Sequence, residues 1–379
     1  MSQSKFKAAN LLAGTALVAL GVAFAGQASA GSHAKVIKTS KHNTSLKISG
    51  QFSRSIHHVD DGVNKRVHHQ DSNFSSSRLL FDAAGKVNSN LKVGARLEVA
   101  VDDARNTTAN VAPRGGRSGN DFQTRKTEIH FTHGQLGKLW VGAGDTATNG
   151  VLNINTHGIY SALPGDMALI ITSTAFTNSG DSTQGIAMFG AALRELDFNS
   201  RHPRIRYDTP VFGGFMASVS HNSQQSIDYA LRYSGKMLDT KVKAAAGLAQ
   251  NTSGAAFSEM YGAQISARHS SGLGATLGCG YWNSQANSSA EIDPAGCAVQ
   301  GHFQRKFNEM GQSSIVLGFE QKDDFTAGAV AKGYAVTLHQ KVDAAALEVW
   351  AKYSTFELDL EGSSFNDIDV VSVGTRLKF

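Results

Sequence analysis

An all-β chain closed into a membrane-spanning barrel is what the sequence predicts, and three observations predict it. Hydrophobicity recurs with period two rather than three and a half along most of the chain. Segments of about ten residues carrying that alternation occur about sixteen times, an even number as bacterial barrels require. The breaks between them alternate in length, short turns with longer polar connections.

The amino terminus stands apart from this pattern. Lys5 and Lys7 precede an apolar run from Leu11 to Phe24, and Ala28-Ser29-Ala30 has the small-residue pattern of a secretory cleavage site. The run is too short to span a bilayer, which takes about twenty apolar residues; a retained anchor helix is the competing reading. Residues 1–30 are expected to be removed as a signal peptide, with 31–379 as the barrel. Taking thirty of 379 residues and two lysines away leaves 349 residues and lowers the formal net charge from +5 to +3.

The strands are expected at 45–57, 73–87, 90–104, 121–134, 137–145, 201–210, 213–223 and 225–235. The second half adds 238–250, 256–270, 272–284, 295–308, 311–323, 331–343, 344–357 and 368–379. In the third, Leu91, Val93, Ala95, Leu97, Val99 and Val101 face one way, and Lys92, Gly94, Arg96, Glu98 and Ala100 the other. In the last, Val371, Val373, Thr375, Leu377 and Phe379 alternate with Ser372, Gly374, Arg376 and Lys378. A half-buried soluble sheet shows the same alternation; its repetition through the whole chain favours the barrel. Lipid offers no partner to an open edge, so a spanning sheet must close. A mean hydropathy of −0.21 with no second long apolar run excludes a helical membrane protein. Pro113, Pro164 and Pro294 fall in connections, and Pro203 and Pro210 at the ends of one strand. Only 161–198 reads as a place for short helix.

Little in the chain points to chemistry. There is no GxSxG, HExxH or Walker loop, and no GxGxxG between a strand and a helix, so no enzyme and no cofactor are expected. No dense Lys/Arg run suggests nucleic acid. His57-His58 and His68-His69 bracket the proposed first surface loop, but their spacing is no known ligand pattern and no metal is expected; an exposed polar loop, or a proton-sensitive surface, is the reading. Cys279 and Cys297 read as one disulfide in an exported chain, with two free thiols as the alternative. They flank the connection 280–296 on adjacent strands, where in-register pairing would let a bridge staple the loop.

Four stretches resemble the general diffusion porins of Gram-negative bacteria, particularly the branch in proteobacteria outside the enteric group. They are Ser77-Arg78-Leu79-Leu80-Phe81 with the Leu91–Glu98 strand, Gly134-Gln135-Leu136-Gly137-Lys138-Leu139-Trp140-Val141-Gly142, Arg204-Ile205-Arg206-Tyr207-Asp208-Thr209-Pro210, and the terminal Thr375-Arg376-Leu377-Lys378-Phe379. The region 225–360 matches by pattern alone. The resemblance implies a sixteen-stranded barrel among outer-membrane lipid and lipopolysaccharide, assembled as a homotrimer. It also implies insertion by barrel-assembly machinery that reads the C-terminal aromatic strand, here at Phe379.

A sixteen-stranded barrel encloses an aqueous channel that its side chains cannot fill. The segment 145–200, far longer than a hairpin needs, is expected to fold into the lumen as the constricting third loop. Its acidic residues are Asp166, Asp181, Glu195 and Asp197; it lacks the family's Pro-Glu-Phe-Gly-Gly-Asp stretch and carries Pro164-Gly165-Asp166 instead. Arg78, Arg96 and Lys126 point inward by alternation and are expected to form a basic ladder at one height opposite the loop. Glu98 and Glu128 point inward with them. Arg204 and Arg206 are placed nearer the periplasmic mouth. Passive diffusion of small hydrophilic solutes and ions is the expected function. A substrate-specific porin, or a barrel-anchored adhesive or structural surface protein, are the alternatives.

Overall fold

The computed structural model of the chain describes residues 36–39, 44–101, 122–165, 167, 174–180, 184–188, 193, 196–251, 257–284 and 292–379. One sheet joins nineteen strand segments, sixteen of them the wall of a barrel. The wall runs β1 Thr44–Asp60, β2 Arg78–Lys86, β3 Leu91–Val101, β4 Phe122–His133, β5 Gly137–Asp145, β6 Arg201–Asp208, β7 Phe215–Asn222 and β8 Ser226–Met237. It continues with β9 Thr240–Asn251, β10 Phe257–His269, β11 Leu273–Ser284, β12 Ala295–Asn308, β13 Gly311–Asp323, β14 Ala329–Val342, β15 Leu347–Leu360 and β16 Ile368–Lys378. The three remaining segments are Val36–Thr39 beside the start of β1, Lys65–Asp71 above β2, and the two-residue Ser363–Ser364.

Each strand pairs antiparallel with the next, and β1 closes the ring on β16 through Gln51↔Lys378 to Asp60↔Asp369. Gly50 and Phe379 exchange both backbone hydrogen bonds at 2.9 and 3.1 Å at the foot of that seam. No edge is left for lipid, as a spanning sheet requires.

The faces are inverted relative to a soluble protein. Outward Ile129, Ile265 and Leu317 are 49, 51 and 54% exposed, while inward Ser266, Thr337 and Gln300 are 0, 1 and 2% exposed. Such a surface is stable only against hydrocarbon. Outward tyrosines form a row near one end, where Tyr229 and Tyr261 both face Leu248 and Tyr261 faces Tyr281. Phe215 packs on Tyr233 toward the other end at 4.7 Å. These rows sit where barrel proteins carry their interfacial aromatic girdles.

The sequence misplaced two elements. The second strand does not begin at 73: Lys65–Asp71 already pairs with β1, and residues 72–77 then fold inward before β2 resumes. Asp71 holds that break by accepting from Ser77 N–H at 2.9 Å and Ser77 Oγ at 2.6 Å, and Gln51 donates to the Ser75 and Ser76 carbonyls. The first surface loop therefore shrinks to 61–64, and the histidine pairs lie within the wall, with His57 opposite His68 and Ile56 opposite His69. The inward His57 ring lies between Ser55 and Ser372 hydroxyls at 2.7 Å each, not in an exposed polar loop. The connection between β7 and β8 is only 223–225. Finally, the described part of 161–198 holds a single 3₁₀ turn, Tyr160–Ala162, and a small hairpin of Ala175–Thr177 with Gln184–Met188. Its carbonyls accept bonds from the wall, which a helix would have used internally.

Candidate functional site

β5 and β6 are neighbours, Asp145 opposite Arg201, so the connection 146–200 leaves the wall and returns to the same place. Between those points it follows the inner face of the barrel. Thr148 Oγ1 donates to Asp228 on β8 at 2.8 Å. The Gln264 side chain on β10 donates to the Ile154 carbonyl, and Thr156 N–H to Ser266 Oγ at 2.9 Å. On β12, Gln300 donates to Ala162 O at 2.9 Å and Gln304 to His157 O at 2.8 Å. Lys322 on β13 reaches Gly165 O at 3.0 Å and Leu193 O at 3.1 Å, and Lys352 on β15 reaches Met167 O at 3.2 Å. Thr177 Oγ1 donates to Asp61 O at 2.7 Å beyond the end of β1.

Apolar contacts reinforce this path. Val151, Leu152, Leu196 and Phe198 pack on Ala245, Ala249, Met260 and Trp282. Met167, Phe176 and Leu193 join Trp350, Phe356 and Ile368 in a second cluster. Burying a side chain such as Leu152 is worth about 1.5–3 kcal/mol, so the segment is held by packing as well as by polar contacts.

His157 illustrates how closely it is fitted. Its Nδ1 accepts from Ile159 N–H at 3.1 Å, which leaves the proton on Nε2 to be donated to Gln300 Oε1 at 3.1 Å. Burial, with the cationic forms of His302 and His339 and the Arg268 guanidinium nearby, pushes its pKa down to about 3 although the Gln300 bond opposes this.

Among the described residues, no hydrogen bond joins the segment to β3 or β4, and the charged side chains there form their own network. Glu98, 3% exposed, accepts from Arg78 at 3.1 Å and from Arg125 at 2.7 Å. Lys126 bonds Asp145 and lies 4.0 Å from Glu98. Arg96 is bound to Asp82 at 2.6 Å. The three cations named from sequence all line the interior, but they are not a ladder at one height. Arg78 faces Ala100 whereas Arg96 faces Asp82, four residues down β3, which is about 13 Å at 3.3 Å per residue. Alternation fixes a face; only register fixes a height.

Arg125 was missed. By strict alternation with Lys126 it would face lipid, but Glu98 pairs with Lys126 and Val99 with Thr124, so one extra residue is accommodated there. That bulge turns both cations toward Glu98, the kind of re-aiming bulges produce. Nothing in the sequence marks it.

Arg204 and Arg206 also lie elsewhere than expected. β6 pairs with β5 from Arg201 opposite Asp145 to Asp208 opposite Lys138, and the inward Arg204 and Arg206 guanidinium groups reach up to the root of the long segment. Arg204 donates to Asp145 O at 2.9 Å and Gly142 O at 3.0 Å and pairs with Glu128 at 2.5 Å; Arg206 donates to Thr146 O at 2.8 Å. Arg232 on β8 completes the set on Ala147 O and Asn149 O at 2.8 and 3.0 Å. Gly144 makes room for the Arg204–Glu128 pair, since a Cβ there would lie 2.7 Å from Arg204 Nη2.

Of the acidic residues expected on the loop, Asp166, Asp181 and Glu195 lie outside the described residues. Asp197 accepts from Gly150 N–H at 2.8 Å and so ties the returning limb to the departing one. Cys279 and Cys297 are directly opposite on β11 and β12 and joined by a disulfide, with both side chains on the outward face. Phe379 is outward too, stacked on Phe52 at 5.8 Å. All three tryptophans, Trp140, Trp282 and Trp350, face inward, and each is covered: Trp140 by Lys138 at 3.6 Å, Trp282 by Phe325, and Trp350 by Phe74. Among the described residues no three His, Cys, Asp or Glu side chains converge as a metal site.

Comparison with known proteins agrees with this geometry. The family model described as Gram-negative porin matches residues 14–378. No curated protein matches the sequence. Among solved structures, an anion-selective porin from Comamonas acidovorans is similar at a TM-score of 0.60 and 16% identity, covering 89% of this chain and 100% of that one. A loop-deletion mutant of the outer-membrane protein OmpT of Vibrio cholerae is similar at 0.59 and 14%, again over 89 and 100%. OmpF of Salmonella typhi, solved with daunomycin, is similar at 0.56 and 12% over 90 and 100%. In-vitro folded OmpT, also similar, is described in a trimer form. At these identities the structures speak for the fold. With the family match across nearly the whole sequence, the chain belongs to the Gram-negative porins, outer-membrane β-barrel channels, not enzymes, through which small solutes diffuse.

Proposed function

We propose that this porin is a general diffusion channel. Its narrowest passage would lie between the segment 146–200 and the charged arc of Arg78, Arg125, Lys126 and Glu98 on β2 to β4. The observation that carries this is the segment's path. Its described contacts cover the inner face of β8, β10, β12, β13 and β15, while β3 and β4 receive none. Solutes would pass along that arc, selected by size and charge without a binding step. A non-specific pore is favoured over a substrate-specific one by the covered tryptophans, which offer no open ring face to a sugar.

Three further features belong to this reading. Residues 1–30 act as a cleaved signal peptide. Outward-exposed Phe379 at the closing strand is what the assembly machinery engages. The homotrimer forms through the face around β1, where Arg54 and His58 point outward in the wall. Lipid and lipopolysaccharide cover the rest of the outer face.

Single-channel recording in a planar bilayer under a salt gradient tests the proposal. Stepwise currents in threes are expected, with a reversal potential that moves when Arg78 and Arg125 are changed to Gln. A folded but silent barrel would favour an adhesive or structural role and overturn the channel assignment. An unmoved reversal potential would relocate the constriction.

A further inference from the structure

Charge along the axis of the barrel is distributed unevenly. Short turns mark the periplasmic end and long connections the outer end. At the periplasmic end the inward positions include Lys47, Lys86, Lys92, Lys241, Lys243 and Lys341. Two of them, Lys86 and Lys92, face each other directly, and Lys241 faces both Lys236 and Arg268. Among the described residues, none of the six has a carboxylate within ion-pair distance. The carboxylates of that end are already engaged or sit in turns: Asp82 holds Arg96, Asp208 holds Arg206, and Glu348 holds Arg376 and Lys378. Asp239, in the turn after β8, lies 3.8 Å from Lys236; Glu309 and Asp343 are the other turn acids.

The outer rim has the opposite sign. Among the described residues, Asp293, Asp324, Glu357, Glu361 and Asp367 sit there with no cation within ion-pair distance. The described lysines Lys65 and Lys332 are taken by Asp60 at 2.7 Å and Asp359 at 2.9 Å, while Arg66, and Arg201 opposite Asp145, are further described cations at this end. Burial, followed by the nearby Glu357, Asp369 and Asp359 carboxylates, pushes the Asp367 carboxyl up from its ordinary pKa.

From this we infer that the periplasmic vestibule is an anion-collecting site for multivalent phosphates, and that the channel conducts asymmetrically along its axis. The inference rests on the channel itself and not on where its constriction lies. A water-filled mouth with low-dielectric walls concentrates counter-ions of the lining charge. The apolar band between the two collars is about 25 Å tall, against a Debye length of about 10 Å at 0.1 M salt. Each collar therefore governs entry at its own end. Anions enter readily from the periplasm and cations from outside, so the two voltage polarities meet different access resistances. A tripolyphosphate chain can bridge several of the unpaired lysines, which monovalent chloride cannot.

The experiment uses protein purified from outer membranes, with Ala327→Cys biotinylated so that streptavidin on one side reports the orientation of each single insertion. At 0.1 M KCl the currents at +100 and −100 mV should differ by about twofold, and the difference should vanish at 1 M, where the Debye length is about 3 Å. Millimolar tripolyphosphate should block when added on the periplasmic side and leave the current unchanged from the outer side. The combined variant Lys92→Gln/Lys243→Gln should weaken both effects without changing conductance at 1 M. An ohmic trace at 0.1 M, or equal block from both sides, would overturn the inference. If that variant fails to fold, the salt dependence and sidedness of the unmodified protein decide alone. Absence of any current would remove the channel reading and this inference together, whereas an open ohmic channel removes only the inference.

Discussion

Replacing Lys322 by Met tests how the long segment is held inside the barrel. Lys322 and Glu320 are both 0% exposed on β13, 3.4 Å apart. The ammonium also donates to the Gly165 and Leu193 carbonyls, one on each limb of the segment. Lys322→Met would leave Glu320 as an uncompensated buried charge, a change that costs about 3–5 kcal/mol, and would orphan two carbonyls at about 1 kcal/mol or more each. The barrel ladder is untouched, so the cost falls on the attached state of the segment. At least 3 kcal/mol is a hundredfold or more in an opening equilibrium, at about 1.4 kcal/mol per decade. Hydrogen exchange of peptides spanning 151–165 and 193–200 should accelerate by about that factor, while β9 to β12 exchange as before. Glu320→Gln/Lys322→Met removes both charges and should be milder than the single change. Unchanged exchange in Lys322→Met, or a double variant worse than the single, would refute the reasoning.

Four other outcomes follow from named contacts. Glu98→Gln removes the anion between Arg78 and Arg125; at about 1 kcal/mol for a charge at 4 Å in water, the anion-to-cation permeability ratio from reversal potentials should rise up to about fivefold, and a fall would count against the arc as lining. His157 should make attachment of the segment acid-sensitive. Its folded pKa, about 3, lies below its ordinary value of 6.5, so between those values the detached segment binds a proton that the attached one does not. Attachment is then intact above about pH 6.5 and weakens as pH falls, by about 2 kcal/mol at pH 5; His157→Asn should flatten the exchange profile over that window, and an unaltered profile would clear His157. Gly144→Ala drives a methyl group into the buried Arg204–Glu128 pair, and disrupting such a pair costs about 3–5 kcal/mol. Its folded band on unheated gels should disappear at a lower temperature than that of the parent protein. Reduction of Cys279–Cys297 should leave conductance unchanged, because the bridge faces outward, and should lower the melting temperature; a changed conductance would place the bridge on the conduction path.

How much of this could be read from the chain depends on the range of the interaction. Strand pattern is local: in β12 and β13 the alternation set both ends, because each side chain meets lipid or lumen according to its own parity. The inward direction of Arg78, Arg96, Lys126 and Glu128 was legible for the same reason. The terminal strand, the even strand number and the family resemblance were equally local. Register is not local. It placed Arg96 about 13 Å from the level of Arg78, and it opened the bulge that turns Arg125 inward, through pairing between strands whose sequences carry no mark of it. The interior of the second strand was hidden in the same way, since only the Asp71–Ser77 and Gln51 contacts reveal that 72–77 leave the wall. The sequence by itself determined the barrel, its closure and the polarity of its two faces, because hydrophobic period and strand length suffice for those. Tertiary structure alone decided which charges meet, and where the long segment lies, because both depend on groups brought together from different strands and loops, such as Arg204 with Glu128 and Lys322 with the Gly165 carbonyl.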